Sequence, residues 1–544
     1  MSPVAGLPPP VDLGFPDQFQ SWRTDQLRAI DIVLQSDKRF IALTMPTGSG
    51  KSLTNIASAL LQKGVRRACV LTSTKGLQDQ YSQVFQPLGL TDVRGQRNYP
   101  CRALEPDGPL LHYRRGRWTP GCDEGPCHAG VRCKLAPDRS TPELRPQCDY
   151  YGAVHDARRA DLVVTNYAYW LAQAEYGQGL GDFECLILDE AHHAPDEVES
   201  FLTFSLDDEE AQLTGSSFLN SADLKDWQIW AKAHLGPMRA MVETWKTNPP
   251  ADLDGVKHIR KLESIVMKLD RLSGMKVDDW VLEWERESVE FSPLNSSAYA
   301  ERALFRGIPK IILTSATLTR KTLRLLGVAD DHVRAWECPS RFPVERRPVI
   351  HVSPNPQVRV THRMTDGQRM LWRTRIDRLI EPRLDRKGVI HTVSYQRMVD
   401  LEKHSDFRQH FITHGRGDMM QQLEVFKRMK PPAIFVSPSI MTGIDLPYDQ
   451  CRWQIIGKIP LLDMRGALLN ARKDLDPDYQ YYVAMQKLVQ AVGRSTRAED
   501  DWSEVFIVDD SFEWFIRRAK KFAPRWFMDA IEWTDLIPAP RFEV

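Results

Sequence analysis

The sequence predicts an α/β protein in which two parallel-sheet domains follow one another along the chain. Short apolar runs alternate with helical patterns between residues 40 and 317, and a second set of such runs starts near residue 346. This alternation is typical of parallel sheets that carry helices on both faces. The chain has 544 residues. Single cores stop growing at about 250–300 residues, so more than one domain is expected.

The first set of strands begins with the segment 40–52, an apolar strand and a Gly-rich turn that lead into a helix. Further strands are predicted at 68–73 and 162–165 and at the apolar strings CLILDE and KIILTSAT. The second set comprises PVIHV, GVIHTVS, AIFVSPS, WQIIGKIP and EVFIVDD. These runs assign residues 1–95, 150–196 and 288–345 to the first domain and residues 346–544 to the second.

Two stretches interrupt the first domain and are expected to be insertions. Residues 96–149 are rich in cysteine, proline, glycine and arginine, and a segment of that kind would need a metal to fold. Residues 197–287 are helical in pattern and carry five tryptophans, which we expect to form the core of a helical insertion rather than a binding surface. These tryptophans are Trp227, Trp230, Trp245, Trp280 and Trp284.

Composition excludes several classes of protein. Lysine plus arginine and aspartate plus glutamate number 72 each, so contact with a polyanion must come from local basic surfaces. No stretch approaches the ~20 apolar residues that span a bilayer, and the first residues lack the pattern of a signal peptide. Four of the nine cysteines lie singly near apolar runs and fit free buried thiols. We therefore expect a cytoplasmic protein without a membrane segment.

The string MPTGSGKS follows a strand and opens a helix, which is the context of a phosphate-binding P-loop. Backbone N–H groups at the helix N-terminus would point at phosphate oxygens of ATP. Lys51 would reach the β- and γ-phosphates, and Ser52 would ligate Mg²⁺. Met45 stands where P-loops usually have their first glycine. The residues expected to surround the phosphates are Thr47, Gly48, Ser49, Gly50, Lys51 and Ser52.

The string LDEAHHA supplies two adjacent carboxylates at the end of a predicted strand. Asp189 at this position can hold Mg²⁺, and Glu190 can polarise an attacking water. His192 is expected to couple the state of the nucleotide to the second domain, the alternative being that it only packs.

The string QAVGRSTR contains Gln490, Arg494 and Arg497. Arginines three positions apart share one face of a helix and can donate to a γ-phosphate. Taken alone the string would fit a solvated basic helix. Because MPTGSGKS and LDEAHHA occur earlier in the same chain, it is expected to complete the nucleotide site. Arg23 and Gln26 have the R-x-x-Q spacing of an adenine-reading motif.

Five cysteines crowd into the first insertion, and short spacings between thiols suit Zn²⁺ or an iron–sulfur cluster. Such a site needs four ligands and the segment offers five, so one thiol is spare. Without further context zinc is the favoured metal. The candidates are Cys101, Cys122, Cys127, Cys133 and Cys148.

The order of these strings and the residues beside the cysteines resemble the XPD/DinG family of iron–sulfur superfamily 2 DNA helicases. Cys101 lies in GQRNYPC and Cys148 in CDYYGAV, which are similar to the surroundings of the family's first and last cluster ligands. The strings ADLVVTNYAYWL, TSAT and SRFP are similar to other family segments, and a non-glycine at position 45 is common in superfamily 2. The resemblance runs from Arg23 to Arg497. It implies two RecA-like motor domains, with a [4Fe–4S] domain at 96–149 and a helical Arch domain at 197–287 inserted into the first.

The resemblance also implies ligands for the cluster. Cys101, Cys127 and Cys148 are expected to bind it, and either Cys122 or Cys133 supplies the fourth thiolate, since both choices give spacings similar to those of the family.

A further family string appears as TGID, in which Gly443 and Asp445 are expected to contact the nucleotide. Thr442 departs from the glutamate that is usual before this glycine, which puts that contact in question. The segment YRRGRW (113–118) combines arginine with aromatic residues, which suits single-stranded DNA, although a solvated charge run would look the same.

Together these features imply an ATP-dependent DNA helicase that uses Mg²⁺ and acts as a monomer on single-stranded and forked DNA with 5′→3′ polarity. One alternative is a translocase that works within a larger complex without unwinding DNA by itself. A second is a metal-stabilised nucleic-acid-binding module with a vestigial ATP site. The presence of Lys51, Asp189, Glu190, Arg494 and Arg497 counts against that module.

Overall fold

The computed structural model of the protein describes residues 7–104, 121–129, 133–137, 143–176, 179–247, 253–439, 446–496 and 498–543. Within these residues there are two parallel sheets of seven strands each and one antiparallel sheet of three strands. The prediction of two α/β domains built on parallel sheets is thereby confirmed. The limits of the domains and insertions drawn from the sequence stay predictions.

The strands are numbered in chain order through the described part of the chain. Their bounds are β1 Phe40–Thr44, β2 Ala68–Thr72, β3 Thr91–Asp92, β4 Leu162–Asn166, β5 Cys185–Asp189, β6 Phe204–Asp207, β7 Trp280–Trp284, β8 Ser288–Pro293, β9 Lys310–Ser315, β10 Val333–Glu337, β11 Val349–Val352, β12 Gly388–His391, β13 Phe411–Ile412, β14 Ile434–Ser437, β15 Trp453–Ile456, β16 Glu504–Ile507 and β17 Ile531–Thr534. The first parallel sheet has the order β10-β1-β9-β5-β2-β4-β3, and the second has the order β13-β14-β12-β15-β16-β11-β17.

The α-helices are numbered in the same way. Their bounds are α1 Thr24–Gln35, α2 Lys51–Leu61, α3 Lys75–Phe85, α4 Asp149–Arg159, α5 Tyr167–Tyr176, α6 Ala194–Leu202, α7 Asp208–Leu213, α8 Leu224–Thr247, α9 Leu253–Gly274, α10 Ser297–Ala300, α11 Arg320–Leu325, α12 Asp366–Ile380, α13 Tyr395–His404, α14 Met419–Arg428, α15 Ala467–Leu475, α16 Tyr479–Val492, α17 Phe512–Ala519 and α18 Arg525–Met528.

The first sheet is covered on both faces, as its apolar strands require. In β1, Phe40 and Ala42 pack in one hydrophobic cluster, while Ile41 and Leu43 pack in another on the opposite face. This division follows from the alternation of side chains along a strand. Because both faces are buried, the central strands are continuous apolar runs, and this pattern made them visible in the sequence.

The register of the central strands brings the predicted site strings to one edge of the sheet. Thr44 at the end of β1 pairs with Ser315 of β9, and Asp189 at the end of β5 pairs with Thr314 of the same strand. All three strands are parallel, so their carboxyl ends lie side by side. In open α/β sheets this edge is where ligands bind.

The first insertion has little regular structure in its described residues. It holds short 3₁₀ turns at Arg102–Leu104, Cys122–Glu124 and Pro126–Ala129. A β-bridge joins Pro100 to Gly121. This agrees with the absence of strand or helix periodicity in its sequence.

The second insertion is helical, as predicted, but it also contains a sheet that the sequence analysis missed. Helices α7, α8 and α9 are accompanied by the strands β6 and β7, which pair with β8, just beyond the predicted limit at residue 287, in an antiparallel sheet of order β6-β8-β7. The tryptophan prediction holds for Trp227, Trp230 and Trp280, which are buried. It is wrong for Trp245 and Trp284, whose rings reach the surface of the helices and of β7, with exposed fractions of 37% and 42%.

The two parallel-sheet domains meet through α11 of the first and the α15–α16 corner of the second. The hydroxyl groups of Thr322 and Tyr482 lie 2.9 Å apart in a buried position, and Lys321 forms an ion pair with Asp476. Among the helices in the described ranges, none is both long and apolar enough to cross a membrane.

Candidate active site

The P-loop string forms the turn between β1 and α2. Gly48 and Gly50 adopt left-handed backbone conformations with φ of 77° and 82°, which glycine adopts without strain. Helix α2 then starts at Lys51, so the N-terminus of an eleven-residue helix faces the turn. Met45 is fully buried in the core, which explains why an apolar residue stands at the position of the usual glycine.

Arg23, immediately before α1, and Gln26 on α1 both form hydrogen bonds with the P-loop. Arg23 Nη1 donates to the carbonyl of Gly48 at 2.7 Å, and Gln26 Nε2 donates to the carbonyl of Ser49 at 3.3 Å. The Gln26 side-chain oxygen in turn accepts from the backbone N–H of Arg23 at 2.9 Å. Both residues line the same cleft as the P-loop. The R-x-x-Q spacing therefore places two side chains beside the phosphate-binding turn.

Asp189 is fully buried at the end of β5 and is held by three donors. Its carboxylate accepts from the Tyr81 hydroxyl at 2.9 Å, from the Thr314 hydroxyl at 3.2 Å and from the backbone N–H of Glu190 at 3.0 Å. Ser52, at the start of α2, lines the same cleft as Asp189. Ser52 and Asp189 are thus neighbours, and their oxygen donors fit a Mg²⁺ site.

Glu190 lies at the centre of a charged cluster. One carboxylate oxygen is 3.4 Å from Lys51 Nζ, and the other is 3.3 Å from His192 Nδ1. His192 Nδ1 lies 2.6 Å from the Ser315 hydroxyl, which joins this cluster to the end of β9. Glu190 itself has a φ of 49°, a left-handed conformation that is uncommon for a residue with a Cβ and that is found mostly at functional sites.

The pKa values of the two adjacent carboxylates, Asp189 and Glu190, are shifted in opposite directions. Burial and the charge of Glu190 raise the pKa of Asp189 to about 6. Burial also disfavours the charge on Glu190, but Lys51 and His192 outweigh it and hold the pKa of Glu190 well below its usual range. Glu190 is therefore ionised at neutral pH, and the raised pKa of Asp189 marks a place where an added cation would be favourable.

The second domain closes the cleft from the other side. Gln490, Gly493 and Arg494, at the end of α16, line one cavity of about 870 Å³ together with Lys51 and Glu190. The carbonyl of Arg494 accepts from the backbone N–H of Leu446 at 3.2 Å, which fixes the turn after α16. The remaining predicted nucleotide contacts lie outside the described residues: Gly443, Asp445 and Arg497.

Several residues of the site were missed by the sequence analysis. Tyr81 and Asn55 form a buried pair with a hydrogen bond of 2.9 Å, and Asn55 also donates to Thr314 at 3.0 Å. Trp526 of α18 lines the cleft from the second domain. Tyr81 lies on α3, outside the strings that predicted the nucleotide site, so no local motif identified it.

The five cysteines of the first insertion gather near one another. The thiols of Cys122 and Cys148 are 3.9 Å apart, and a Cβ on Gly125 would lie 2.9 Å from the Cys101 sulfur. A hydrogen bond from Cys122 lowers the pKa of Cys101 to about 7 and that of Cys148 to about 6. Deprotonated thiols are what a metal needs.

Across the described ranges, no group of three or more His, Cys, Asp or Glu side chains has the arrangement of a metal site. The thiols of Cys122 and Cys148 are nonetheless in direct contact, and their donor chemistry fits a thiolate-bound metal group. A separation of 3.9 Å is close to the ~3.8 Å expected between two thiolates on one tetrahedral zinc with bonds of ~2.3 Å.

Residues 20–212 match the family described as the res subunit of type III restriction enzymes, and residues 384–530 match the family described as the helicase C-terminal domain. The first match contains the P-loop and the Asp189–Glu190 pair, and the second contains α16. No curated protein sequence matches the chain significantly.

Three solved structures share the fold. One described as an XPD helicase has a TM-score of 0.61 and 15% identity and covers 94% of this chain and 100% of its own. An apo XPD structure has a TM-score of 0.57 and 15% identity, with coverages of 92% and 98%. The Xpd4 structure from S. tokodaii has a TM-score of 0.59 and 13% identity, with coverages of 94% and 100%.

The two matched families fall on the two parallel-sheet domains that flank the P-loop cleft, and one of them is a helicase domain. The fold of the chain is that of the XPD structures. The resemblance to XPD/DinG-like helicases found in the sequence is thereby confirmed.

Proposed function

We propose that this protein is an ATP-dependent DNA helicase that moves 5′→3′ along single-stranded DNA and separates forked duplexes. The observation that carries the proposal is the cleft to which Lys51 and Glu190 come from the first domain and Arg494 comes from the second. A nucleotide in this cleft would contact both domains, so its binding and release would favour different arrangements of the two.

Each side chain of the cleft has a distinct part in hydrolysis. Lys51 and the N-terminus of α2 attract the phosphates. Glu190, which Lys51 and His192 keep ionised, is placed to orient and polarise the attacking water. Mg²⁺ bound by Ser52 and Asp189 would neutralise charge on the β- and γ-phosphate oxygens.

Arg494 supplies the contribution of the second domain. It would donate to the γ-phosphate as negative charge develops there, in the manner of an arginine finger. Since this contact exists only while the domains are closed on ATP, hydrolysis and phosphate release would let them separate. A strand held alternately by the two domains would then advance by one step in each cycle.

The cysteines are proposed to hold a [4Fe–4S] cluster that folds the first insertion, which would act with the second insertion in separating the duplex. The support comes from the number of thiols, from their contacts, and from the similarity of the residues around Cys101 and Cys148 to the family. The cluster would supply a covalent framework to a segment with little secondary structure.

The test uses the full chain purified without oxygen. We expect ATP hydrolysis to rise strongly with single-stranded DNA and 5′-tailed duplexes to be unwound in preference to 3′-tailed ones. Glu190→Gln should bind ATP and hydrolyse it very slowly, whereas Glu424→Gln, at an exposed residue that does not line the cleft, should match the wild type. Unwinding of 3′-tailed duplexes alone would refute the polarity. Hydrolysis without unwinding would favour the translocase, and binding without hydrolysis would favour the binding module.

A further inference from the structure

Arg472 on α15 is a buried arginine, 6% exposed, that joins the second motor domain to two parts of the first. Its Nη2 lies 2.8 Å from the Glu199 carboxylate on α6 and donates to the carbonyl of Pro293 at 2.8 Å. Its Nε donates to the carbonyl of Leu294 at 3.2 Å. The guanidinium also stacks over the Tyr479 ring, 5.3 Å from its centroid.

The partners of Arg472 lie on elements with distinct positions in the molecule. Helix α6 begins at Ala194, four residues after Glu190, and is thus the direct continuation of the catalytic string. Pro293 ends β8, the central strand of the sheet at the base of the second insertion. One guanidinium therefore touches both the helix behind the catalytic carboxylates and the base of the insertion.

Other contacts at the same corner show that the second domain approaches the insertion closely. A Cβ on Gly466, which precedes α15, would lie 3.1 Å from a carboxylate oxygen of Glu283 on β7. Tyr482, one turn into α16, contacts Thr322 of the first domain. From Tyr482 the same helix continues for eight residues, about 12 Å, to Gln490 at the nucleotide cleft.

The insertion is covalently part of the first domain, yet Arg472 ties its base to the second. Any movement of one domain relative to the other must therefore carry the insertion or separate Arg472 from its partners. Separation is unfavourable because it would break the ion pair and the backbone hydrogen bonds of a buried guanidinium, whose partner Glu199 is itself only partly exposed.

We propose that Arg472 is a positioning residue that makes the second insertion move with the second motor domain during the ATP cycle. The inference rests on the proposed function, since it requires nucleotide-driven movement of the domains. It extends that function by naming the contact through which the nucleotide state reaches the insertion.

The test compares Arg472→Met, Arg472→Lys and Glu199→Gln with Arg465→Met, which alters an arginine that is 89% exposed and paired only with nearby Asp463. Hydrogen exchange in residues 280–293 is measured with and without a non-hydrolysable ATP analogue. Wild type and Arg465→Met should show a nucleotide-dependent change in this sheet. Arg472→Met should lose that change while still binding the analogue.

The second readout is ATP hydrolysis with and without single-stranded DNA. Arg472→Met should keep its basal rate while its stimulation by DNA falls roughly 5- to 150-fold, the range of typical coupling energies. Arg472→Lys should resemble Arg472→Met, because a lysine ammonium is a compact point charge that does not reproduce the planar guanidinium fork reaching Glu199, Pro293 and Leu294. The double variant with Glu199→Gln should be no worse than Arg472→Met alone.

Retained exchange response and retained DNA stimulation in Arg472→Met would overturn the proposal. If Arg472→Met does not fold, Glu199→Gln decides, because loss of the exchange response in it supports the coupling and retention overturns it. A wild-type protein without any stimulation by DNA would instead overturn the proposed function, so the two failures are distinguishable.

Discussion

The hydroxyl of Tyr81 donates a 2.9 Å hydrogen bond to Oδ2 of Asp189, although the two residues are 108 positions apart in the chain. Tyr81 is fully buried, and burial together with the charge of Asp189 raises its pKa well above the ordinary value. The tyrosine is therefore always a donor. It orients the carboxylate that is proposed to hold Mg²⁺, as outer-shell partners of metal ligands commonly do.

Tyr81→Phe should weaken the metal site while leaving the P-loop intact. Loss of an outer-shell partner typically lowers metal affinity or activity ~10–100-fold. We expect the Mg²⁺ concentration that gives half-maximal ATP hydrolysis to rise within that range. Tyr448→Phe removes a tyrosine hydroxyl from an exposed site on the second domain and serves as the control. An unchanged Mg²⁺ dependence in Tyr81→Phe would show that Asp189 does not depend on this bond.

Gly50→Ala tests the packing of Gln26 against the P-loop. A Cβ at Gly50 would lie 2.1 Å from Gln26 Nε2, so the Gln26 side chain must leave the carbonyl of Ser49. We expect the affinity for a fluorescent ATP analogue to fall roughly tenfold, or about 1.4 kcal/mol.

Gly64→Ala is the matched control for Gly50→Ala. Gly64 has a φ of 81°, almost the same as that of Gly50, but a Cβ there would meet nothing within 4 Å. Both variants pay the strain of a left-handed alanine, about 1–2 kcal/mol. A similar loss of nucleotide affinity in both variants would mean that backbone strain, and not Gln26, is responsible.

The sequence predicted those strands of the two parallel sheets that are buried on both faces. The central strands of both sheets were visible as apolar runs because both of their faces are covered. All four edge strands, β3, β10, β13 and β17, were missed. Two of them have only two residues, and β10 and β17 are partly exposed, so they carry no continuous apolar signal.

The residues of the candidate site also fall into two groups: those that lie in short motifs could be predicted from the sequence, and those that tertiary packing brings to the site could not. Lys51, Glu190 and Arg494 were identified because each lies in a short string whose spacing reflects its chemistry. Tyr81 and Thr314, which hold Asp189, could not be assigned that role, since only the register of distant strands and helices brings them to the carboxylate. The sheet of the second insertion was missed because its strands lie among long helical patterns, with β6 separated from β7 and β8 by α8 and α9.

Arg494→Ala should separate nucleotide binding from hydrolysis. Arg494 is the described arginine of QAVGRSTR that lines the cleft from the second domain. Removing an arginine finger can lower turnover ~10³–10⁵-fold in related phosphoryl-transfer enzymes. We expect ATP binding, measured by fluorescence, to be retained. Arg465→Ala, at an exposed arginine of the same domain, should have wild-type turnover. Hydrolysis within about tenfold of the wild type in Arg494→Ala would contradict the role.

His193 makes the stability of the protein sensitive to acid. Burial and then the neighbouring His192 lower the pKa of His193 from 6.5 to about 3. Between these values the unfolded chain binds a proton that the folded protein does not, so the free energy of unfolding falls as the pH falls. The slope for one proton is at most ~1.4 kcal/mol per pH unit.

His193→Gln should therefore lose less of its melting temperature than the wild type when the pH is lowered from about 6.5 towards 4, the upper part of the window that the two pKa values define. The control is His332→Gln, because His332 is exposed and its contact with Asp331 is also at the surface. Parallel pH curves for His193→Gln and the wild type would show that His193 is not responsible.

The last prediction concerns the metal and the spare cysteine. Five thiols gather in the first insertion, and we assign Cys122 rather than Cys133 as the fourth ligand because Cys122 is buried beside Cys101 and Cys148, whereas Cys133 is only partly buried. Protein purified without oxygen should be brown and contain about four irons per chain, as a Cys₄-bound cubane requires. Cys122→Ser, Cys127→Ser and Cys148→Ser should lose iron, whereas Cys133→Ser should retain it and serves as the control. ATP hydrolysis without DNA should persist in all four variants, because the nucleotide cleft is built from other parts of the chain.

Two outcomes would contradict these assignments. Colourless protein with one or two zinc ions would show that the insertion holds a structural zinc site and not a cluster. Iron loss in Cys133→Ser but not in Cys122→Ser would show that Cys122 is the spare thiol.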